Sequence, residues 1–317
     1  MSAHPRHLVV DGRRVHLLGS GIPEKDAAGI ARDLVLLEPG LGAGAASWGA
    51  VLDGLAGPDA PVGPAVPAVP AVHAAVASGP VGPLQVLAHD RAGYGASDPA
   101  DRPRDLGALA AELGAIVEAV PHRRLVLAGH SWGGPVVRTL AADLAAQGHA
   151  VVGVVLVDPA DELADLYFTP TVEVMNRVQG HAMVLLDRAH LLRRLQRTVT
   201  RGLPEAYREQ ATASVATAAA ARTVREEARH IMRGLQHLRL DPPELGGVPL
   251  TVISGRLPEG LGRRLRDELT SAHRERAALG GGESGGAGRF VAAERSGHLV
   301  PVDQPELVVE EIRRLLG

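Results

Sequence analysis

Ser131 has the sequence surroundings that most strongly suggest covalent chemistry in this chain. It stands in the stretch "GHSWG", residues 129–133, which fits the pattern G-x-S-x-G. That pattern places a serine on a sharp turn from a strand into a helix, with its hydroxyl exposed. The glycines permit the turn and the close approach of helix to strand. The pattern predicts a nucleophilic serine.

A second match to the same expression serves as an internal comparison. Ser284 lies in "GESGG", residues 282–286, within a tract composed mostly of glycine. Ser131 instead follows the apolar run "RLVLA" and precedes the helix-like run "PVVRTLAADLAAQ". Because only Ser131 has the strand and the helix that the pattern requires, Ser284 is rejected.

A serine hydroxyl needs a base to take its proton before it can attack. His298 is the candidate, since it follows the apolar run "RFVAA" in a Ser-Gly-His turn and precedes a final helix expected to begin near Pro305. His130 is adjacent to the nucleophile but is expected to point elsewhere along the turn. The sequence therefore favours His298 as the general base.

The elements that must position these residues alternate between short apolar runs and longer helix-like segments, which is typical of a mostly parallel sheet with crossover helices. We predict an opening hairpin from "HLVV" and "RVHLL", followed by six buried strands. Several strands are apolar on both faces, so helices should cover both sides of the sheet. The predicted strands are "DLVLLEPG", "LQVLAHDRAG", "RLVLAGHS", "VVGVVLVDP", "VPLTVISG" and "RFVAAERSGH".

Three segments interrupt this alternation. Residues 57–83 are rich in Pro, Ala and Val and predict an extended surface insertion, and residues 280–288 predict a glycine-rich loop. Residues 161–245 are helical in character and predict a cap, or lid, inserted into a core formed by residues 1–160 and 246–317.

Composition excludes several functional classes. The 317 residues carry a net charge of −3, which gives no overall attraction for nucleic acid or an anionic membrane. The chain contains no cysteine, so thiolate chemistry and disulfides are excluded. His230 and His237 share a helix face but have no evident third metal ligand. With no apolar segment long enough for a signal peptide or a spanning helix, we expect a cytoplasmic protein.

Four motifs follow predicted strands: "EPGLGAGAASW" after the third strand, "HDRAGYGASDP" after the fourth, "GHSWGG" at the serine and "SGHLVPVDQPELV" at the histidine. Together they resemble the motifs of the α/β-hydrolase fold. The resemblance implies a serine hydrolase with the chain order nucleophile, acid, histidine. A serine at the nucleophile position argues against the dehalogenases and epoxide hydrolases that share the fold.

The acid partner of His298 has three candidates. The family usually places it after the seventh strand, where Glu259 is the nearby carboxylate, but some members place it after the sixth strand, where Asp158 lies. Asp158 is favoured, with Glu259 and then Asp161 as alternatives. A structural reading also stays open, because Asp158-Pro159 followed by acidic residues is a typical helix start.

The resemblance also implies the donors that would hold an oxyanion. The backbone amide of Trp132, directly after the serine, is one, and the amide of Leu41 in "EPGLGAG" is the other. Asp90 and Arg91 are interpreted as structural braces for the loops below the site.

These features predict hydrolysis of carboxylic esters of small or aliphatic acids through an acyl-enzyme, with a small-molecule substrate and neither cofactor nor metal. Open alternatives are carbon-carbon bond or lactone hydrolysis, acyl transfer, and ligand binding with little turnover. The predicted substrate-binding residues lie at the start of the helical segment: Leu163, Leu166, Phe168 and Met175. Ordinary helix core is the alternative role for these four.

Overall fold

The computed structural model describes residues 4–19, 32–56, 84–100, 102–170, 191–258, 262–280 and 288–317, and six single positions between 172 and 186. The strands are β1 His4–Val10, β2 Arg13–Gly19, β3 Arg32–Glu38, β4 Leu84–His89, β5 His122–His130, β6 Val151–Val157, β7 Leu250–Gly255 and β8 Arg289–Ala293. The helices are α1 Gly49–Ala56, α2 Leu106–Ala119, α3 Gly133–Ala146, α4 Leu192–Val199, α5 Glu205–Val215, α6 Ala218–Leu240, α7 Gly262–Leu279, α8 Val300–Asp303 and α9 Pro305–Leu316. Short 3₁₀ turns occupy Ala45–Trp48, Asp165–Phe168 and Thr200–Gly202.

The strands form one eight-stranded sheet in the order β1-β2-β4-β3-β5-β6-β7-β8. β1 and β2 pair antiparallel, as does β2 with β4, and the remaining neighbours are parallel. The predicted hairpin and mostly parallel sheet are confirmed. Asp11 and Gly12 form the hairpin turn with φ of 50° and 74°, the left-handed conformations that a two-residue turn requires.

The core has two layers, one on each face of the sheet. In β3, Leu34 and Leu36 face the helices α2 and α3, whereas Val35 and Leu37 face α1 and α9. This alternation follows from the two-residue period of a strand, and it explains why the central strands are apolar throughout. The helices on both faces agree with the sequence prediction.

The segment between β6 and β7 contains α4, α5 and α6, with no strand among its described residues. α5 packs on the start of α1, because a Cβ built on Gly49 would lie 2.3 Å from the ring of Tyr207. α6 packs on Trp132, whose ring lies 2.8 Å from a Cβ built on Gly234. These helices therefore lie over the edge of the sheet at which the parallel strands end.

Two of the interrupting segments fall mainly outside the described residues. The predicted insertion at 57–83 does so entirely, and of the predicted loop at 280–288 only its first and last residues are described. None of the helices in the described ranges is long and apolar enough to cross a membrane.

Candidate active site

Ser131 occupies the single-residue turn between β5 and the N-cap of α3, with a φ of 53°. Its amide donates to the carbonyl of Val157, and its own carbonyl accepts from Gly134 and Ala160, each at 3.0 Å. These bonds hold a left-handed conformation that is uncommon for a residue with a side chain.

The glycines beside the serine are sterically required. A Cβ built on Gly129 would lie 2.3 Å from the carbonyl oxygen of Gly133, and one built on Gly133 would lie 2.6 Å from that of Glu38. Since real Cβ atoms do not approach backbone so closely, the turn, the helix start and the end of β3 can come together only with glycine at these positions.

His298 lies between Ser131 and Asp158. Its Nε2 is 3.0 Å from Oγ of Ser131, and its Nδ1 is 2.7 Å from Oδ2 of Asp158. Because the carboxylate can only accept, Nδ1 donates to it and Nε2 is left to accept the serine proton. The His298 side chain is 42% exposed, so this nitrogen lies where a substrate could reach it.

Asp158 follows β6 and has a φ of 41°. Its Oδ1 accepts hydrogen bonds from the amide of Gly255 at 2.9 Å and from Nη1 of Arg266 at 2.7 Å. Burial alone would raise the pKa of this carboxyl, but the hydrogen bond and charge of His298 lower it, helped by the charges of His273 and Arg266. The net result is a pKa well below the ordinary range, so the carboxyl is ionised.

The structure gives other contacts for two of the alternatives that the sequence left open, a helix start at Asp158 and Asp161 as the acid. No helix begins at Asp158-Pro159, and the next helical turn begins at Asp165. Asp161 instead accepts two hydrogen bonds from Arg276, at 2.9 and 3.1 Å. Glu259 lies outside the described residues.

The predicted oxyanion loop, residues 40–44, packs against the turn that carries Ser131. A Cβ built on Gly40 would lie 3.1 Å from Cβ of Ser131, so only glycine lets the loop come this close. Within the described part of the chain, the amides of Leu41 and Trp132 have no hydrogen-bond acceptor. Both predicted donors therefore border the serine turn with their N–H groups unused.

Asp90 and Arg91 brace these loops. Asp90 Oδ1 accepts from the amide of Ala45 at 2.8 Å. Arg91 donates to Glu38 and to the carbonyl of Pro39, directly before the oxyanion loop.

His130 is a neighbour of the site with a role that the sequence did not reveal. Its Nε2 donates to the backbone carbonyl of His298 at 2.8 Å, and the two rings are 4.8 Å apart. Burial, followed by the positive charge of His298, lowers the pKa of His130 from 6.5 to about 3. His130 is therefore a neutral donor rather than a competing base.

A small cavity of about 70 Å³ lies beside His130. Its walls are mostly apolar and come from three places: the loop after β3, the helices α4 and α5, and the turn after His298. The lining residues are Gly42, Ala43, Gly44, Ser47, His130, Gln196, Val199, Thr200, Leu203, Ala211, Val215, Leu299, Pro301 and Val302.

Of the four predicted substrate-binding residues, the three that the structure describes do not line this cavity. Leu163 and Leu166 pack in a separate apolar cluster with Leu269 of α7. The Phe168 ring stacks under the guanidinium of Arg239, 3.9 Å away, and Met175 lies outside the described residues. The described three therefore make core contacts, and a substrate pocket is better sought at the cavity.

No metal site accompanies this arrangement in the described ranges, where His, Asp and Glu side chains nowhere form a group of three or more that could hold an ion.

The sequence also gave no indication that Arg266 and His273 of α7 approach the site. Their spacing is simply that of a helix face buried against a sheet, which many apolar positions share. Only the tertiary contact distinguishes them.

Comparison with known proteins establishes the family to which this chain belongs. A model described as the alpha/beta hydrolase family matches residues 34–311. The chain therefore belongs to the alpha/beta hydrolase family. No protein of curated function shows significant sequence similarity to it.

Solved structures of several different enzymes share the fold. The epoxide hydrolase CorEH matches with a TM-score of 0.65 and 18% identity, over 99% of this chain and 98% of that one. A haloalkane dehalogenase variant from Bradyrhizobium elkanii matches with a TM-score of 0.64 and 16% identity, over 100% and 97%. An E-2-(acetamidomethylene)succinate hydrolase matches with a TM-score of 0.60 and 14% identity, over 99% of each chain. At these identities the likeness concerns the fold, and the chemistry must be argued from the site.

Proposed function

We propose that this protein is a serine hydrolase that cleaves carboxylic esters of small or aliphatic acids through an acyl-enzyme. The observation that carries the proposal is the hydrogen-bonded series Ser131, His298, Asp158, with contacts of 3.0 and 2.7 Å. A nucleophile, a base in reach of it and a carboxylate that orients the base are the parts that acyl transfer requires.

In the proposed mechanism, Oγ of Ser131 attacks the ester carbonyl carbon while His298 Nε2 accepts its proton. The amides of Leu41 and Trp132 donate to the developing oxyanion, and Asp158 stabilises the imidazolium. The imidazolium then protonates the departing alcohol, which leaves the acyl group on Ser131. Water repeats the same steps to release the acid and restore the serine.

The serine distinguishes this proposal from the chemistry named for two of the structural neighbours. Displacement at a saturated carbon, as in an epoxide or a haloalkane, would leave a serine joined to the substrate by an ether, which water does not readily cleave. Attack on a carbonyl carbon gives an ester that the same base can hydrolyse. A serine at this position therefore supports acyl chemistry.

The cavity supports a small apolar acyl or alcohol group. Its walls are mostly Ala, Val, Leu and Pro side chains, and its volume is about 70 Å³. Because α4 and α5 supply part of the lining, we propose that residues 161–245 form a cap that determines substrate choice. The proposed substrate is thus a small molecule, and the reaction needs no cofactor.

The test is pre-steady-state release of nitrophenol from p-nitrophenyl acetate, butyrate and octanoate. The wild type should give a burst equal to the enzyme concentration, and Ser131→Ala should lose at least about a thousandfold in turnover. Ser284→Ala is the matched control, because the same substitution is made in the second G-x-S-x-G match, and it should behave as wild type.

Other outcomes point to the alternatives. A serine that reacts with an organophosphate but gives no ester turnover would favour carbon-carbon or lactone cleavage, or acyl transfer. Equal rates in wild type and Ser131→Ala would contradict the proposal and favour a ligand-binding role.

A further inference from the structure

Arg266 is a buried cation in direct contact with the proposed catalytic carboxylate. It lies on α7, its side chain is 1% exposed, and its Nη1 is 2.7 Å from Oδ1 of Asp158. The same nitrogen lies 3.4 Å from the carbonyl oxygen of Gly255. Within the described residues, its Nε and Nη2 have no hydrogen-bond partner although both atoms are buried.

This contact differs from another buried arginine-aspartate pair, Arg124 and Asp33, at the start of β5 and β3. Arg124 approaches Asp33 side-on, with its Nε 3.1 Å from Oδ1 and its Nη2 2.7 Å from Oδ2. That fork uses both carboxylate oxygens, as expected for a pair that only stabilises the fold. Arg266 approaches Asp158 end-on and uses one oxygen, which leaves N–H groups unpaired at a cost in stability.

The end-on approach leaves Oδ2 of Asp158 for the histidine. Oδ1 is occupied by Arg266 and by the amide of Gly255, so the carboxylate cannot rotate without breaking both bonds. Oδ2 then faces Nδ1 of His298 at 2.7 Å.

Two basic side chains of α7, Arg266 and His273, lie near Asp158, and Arg266 is the nearer of the two. On α7, His273 lies 3.9 Å from Oδ1 of Asp158, and its ring nitrogens contact Ser254 and the carbonyl of Pro159. Among the described residues, four further groups lie near Asp158 and His298. They are His130 of β5, Ser131, and, from the segment after β6, Asp161 and Tyr167. The charge of Asp161 is balanced by Arg276 and His130 is neutral, so neither adds a net charge beside Asp158.

We propose that Arg266 is a positioning residue for the proposed hydrolysis. It holds Asp158 by one carboxylate oxygen and presents the other oxygen to His298. Its positive charge also offsets part of the carboxylate charge, which favours the protonated form of His298. Loss of this positive charge from beside Asp158 should therefore make the imidazole easier to protonate. The catalytic part of this inference rests on the proposed function, but the effect on the imidazole does not.

The test replaces the arginine and follows the histidine directly. The ring of His298 is titrated by NMR of histidine-labelled protein, with its resonance assigned by its loss in His298→Asn. In Arg266→Met the midpoint of this titration should rise by about one pH unit, because a cation near the carboxylate is lost. In Arg266→Lys, which keeps the charge, the midpoint should move by less than half of that.

Controls separate this effect from loss of stability. Arg124→Met removes a buried arginine from an aspartate at the opposite ends of the strands and should leave the His298 midpoint unchanged. Where Arg266→Met does not fold, Arg266→Gln replaces it, since glutamine can still donate to Oδ1 without a charge, and the midpoint must rise there too.

The rate profile supplies the second readout. The acidic limb of kcat/KM for a p-nitrophenyl ester should move to higher pH in Arg266→Met by the same amount as the NMR midpoint. An unmoved or lowered midpoint in a folded variant would overturn the role of Arg266. A raised midpoint in a protein that shows no turnover even as wild type would instead overturn the proposed function and leave the role of Arg266 intact.

Discussion

Ser131 and Asp158 share an unusual backbone conformation. Their φ values are 53° and 41°, and such left-handed residues cost roughly 1–3 kcal/mol each unless the surroundings hold them. The amide of Ser131 donates to Val157 on β6, and that of Asp158 donates to Ile253 on β7 at 2.7 Å. Each strained residue is therefore fixed to the neighbouring strand, and both side chains turn toward His298.

The identity of the acid can be tested by two isosteric changes. Asp158→Asn should lower kcat by about a thousandfold, because an amide cannot stabilise the imidazolium or fix its tautomer. Glu259→Gln should stay within about threefold of the wild type. Steady-state kinetics with p-nitrophenyl butyrate provide the measurement, and a loss below about tenfold in Asp158→Asn would contradict the assignment.

His130 predicts a dependence of stability on pH. Its pKa is 6.5 in an ordinary setting and about 3 in the fold, so between these values the unfolded chain binds a proton that the folded chain does not. Its contribution to stability is therefore complete above pH 6.5 and is lost as the pH falls toward 3, at about 1.4 kcal/mol per pH unit.

Urea unfolding at pH 4.5, 5.5 and 6.5 measures this slope. His130→Gln keeps a donor for the His298 carbonyl and should flatten the dependence by about that amount. His149→Gln, at a partly exposed histidine, is the control and should leave the slope unchanged. Parallel curves for wild type and His130→Gln would contradict the account.

Some of the individual residues of the candidate site could be predicted from the sequence, and others could not. Ser131 and His298 could be predicted because each stands at the end of an apolar run in a recognisable turn, and the preference for Asp158 among three carboxylates stays a prediction. Arg266 and the role of His130 could not be predicted, because their contacts join parts of the chain far apart in sequence.

Among the elements, α6 is joined to the loop after β3 by buried charge. Glu227 is fully buried and accepts from Nη1 of Arg91 at 2.8 Å and from Nη2 of Arg104 at 2.9 Å. Arg91 also donates to the carbonyl of Pro39, directly before the proposed oxyanion loop. The position of this loop thus depends on a helix that is distant in sequence.

Glu227→Gln should therefore affect both stability and turnover. Removing one partner from a buried charged cluster costs up to about 3–5 kcal/mol, because Arg91 and Arg104 each lose one of their two carboxylate partners. Urea unfolding measures this loss, and kcat should fall as the loop after β3 loses its support. Glu226→Gln is the control, since the neighbouring side chain is exposed and pairs with Arg229 on the surface. Equal effects of the two substitutions would contradict the link.

The order and type of the elements were largely predictable. All eight strands were expected, because each is an apolar run bounded by turn residues, and α9 begins at Pro305 as expected. The start of the helical segment was less predictable. Residues 161–169 form turns and a 3₁₀ turn, because Asp161 and Glu162 pair with Arg276 rather than cap a helix.

Across the whole molecule, the fold leaves the chemistry open. The sheet and its helices match structures named as an epoxide hydrolase, a haloalkane dehalogenase and an E-2-(acetamidomethylene)succinate hydrolase. The reaction of such a fold depends on the side chains at the ends of β3, β5, β6 and β8 and on the helices that cover those strand ends. In this chain those strand ends bring together a serine, a carboxylate and a histidine beside a small apolar cavity.

Covalent labelling is the most direct test of whether Ser131 is the nucleophile. Wild-type protein is reacted with diethyl p-nitrophenyl phosphate, and the adduct is weighed by intact-protein mass spectrometry and located by peptide mapping. We expect a single diethylphosphoryl group on Ser131, no adduct in Ser131→Ala, and much slower labelling in His298→Asn. A wild-type protein that stays unlabelled, or one labelled at another residue, would contradict it.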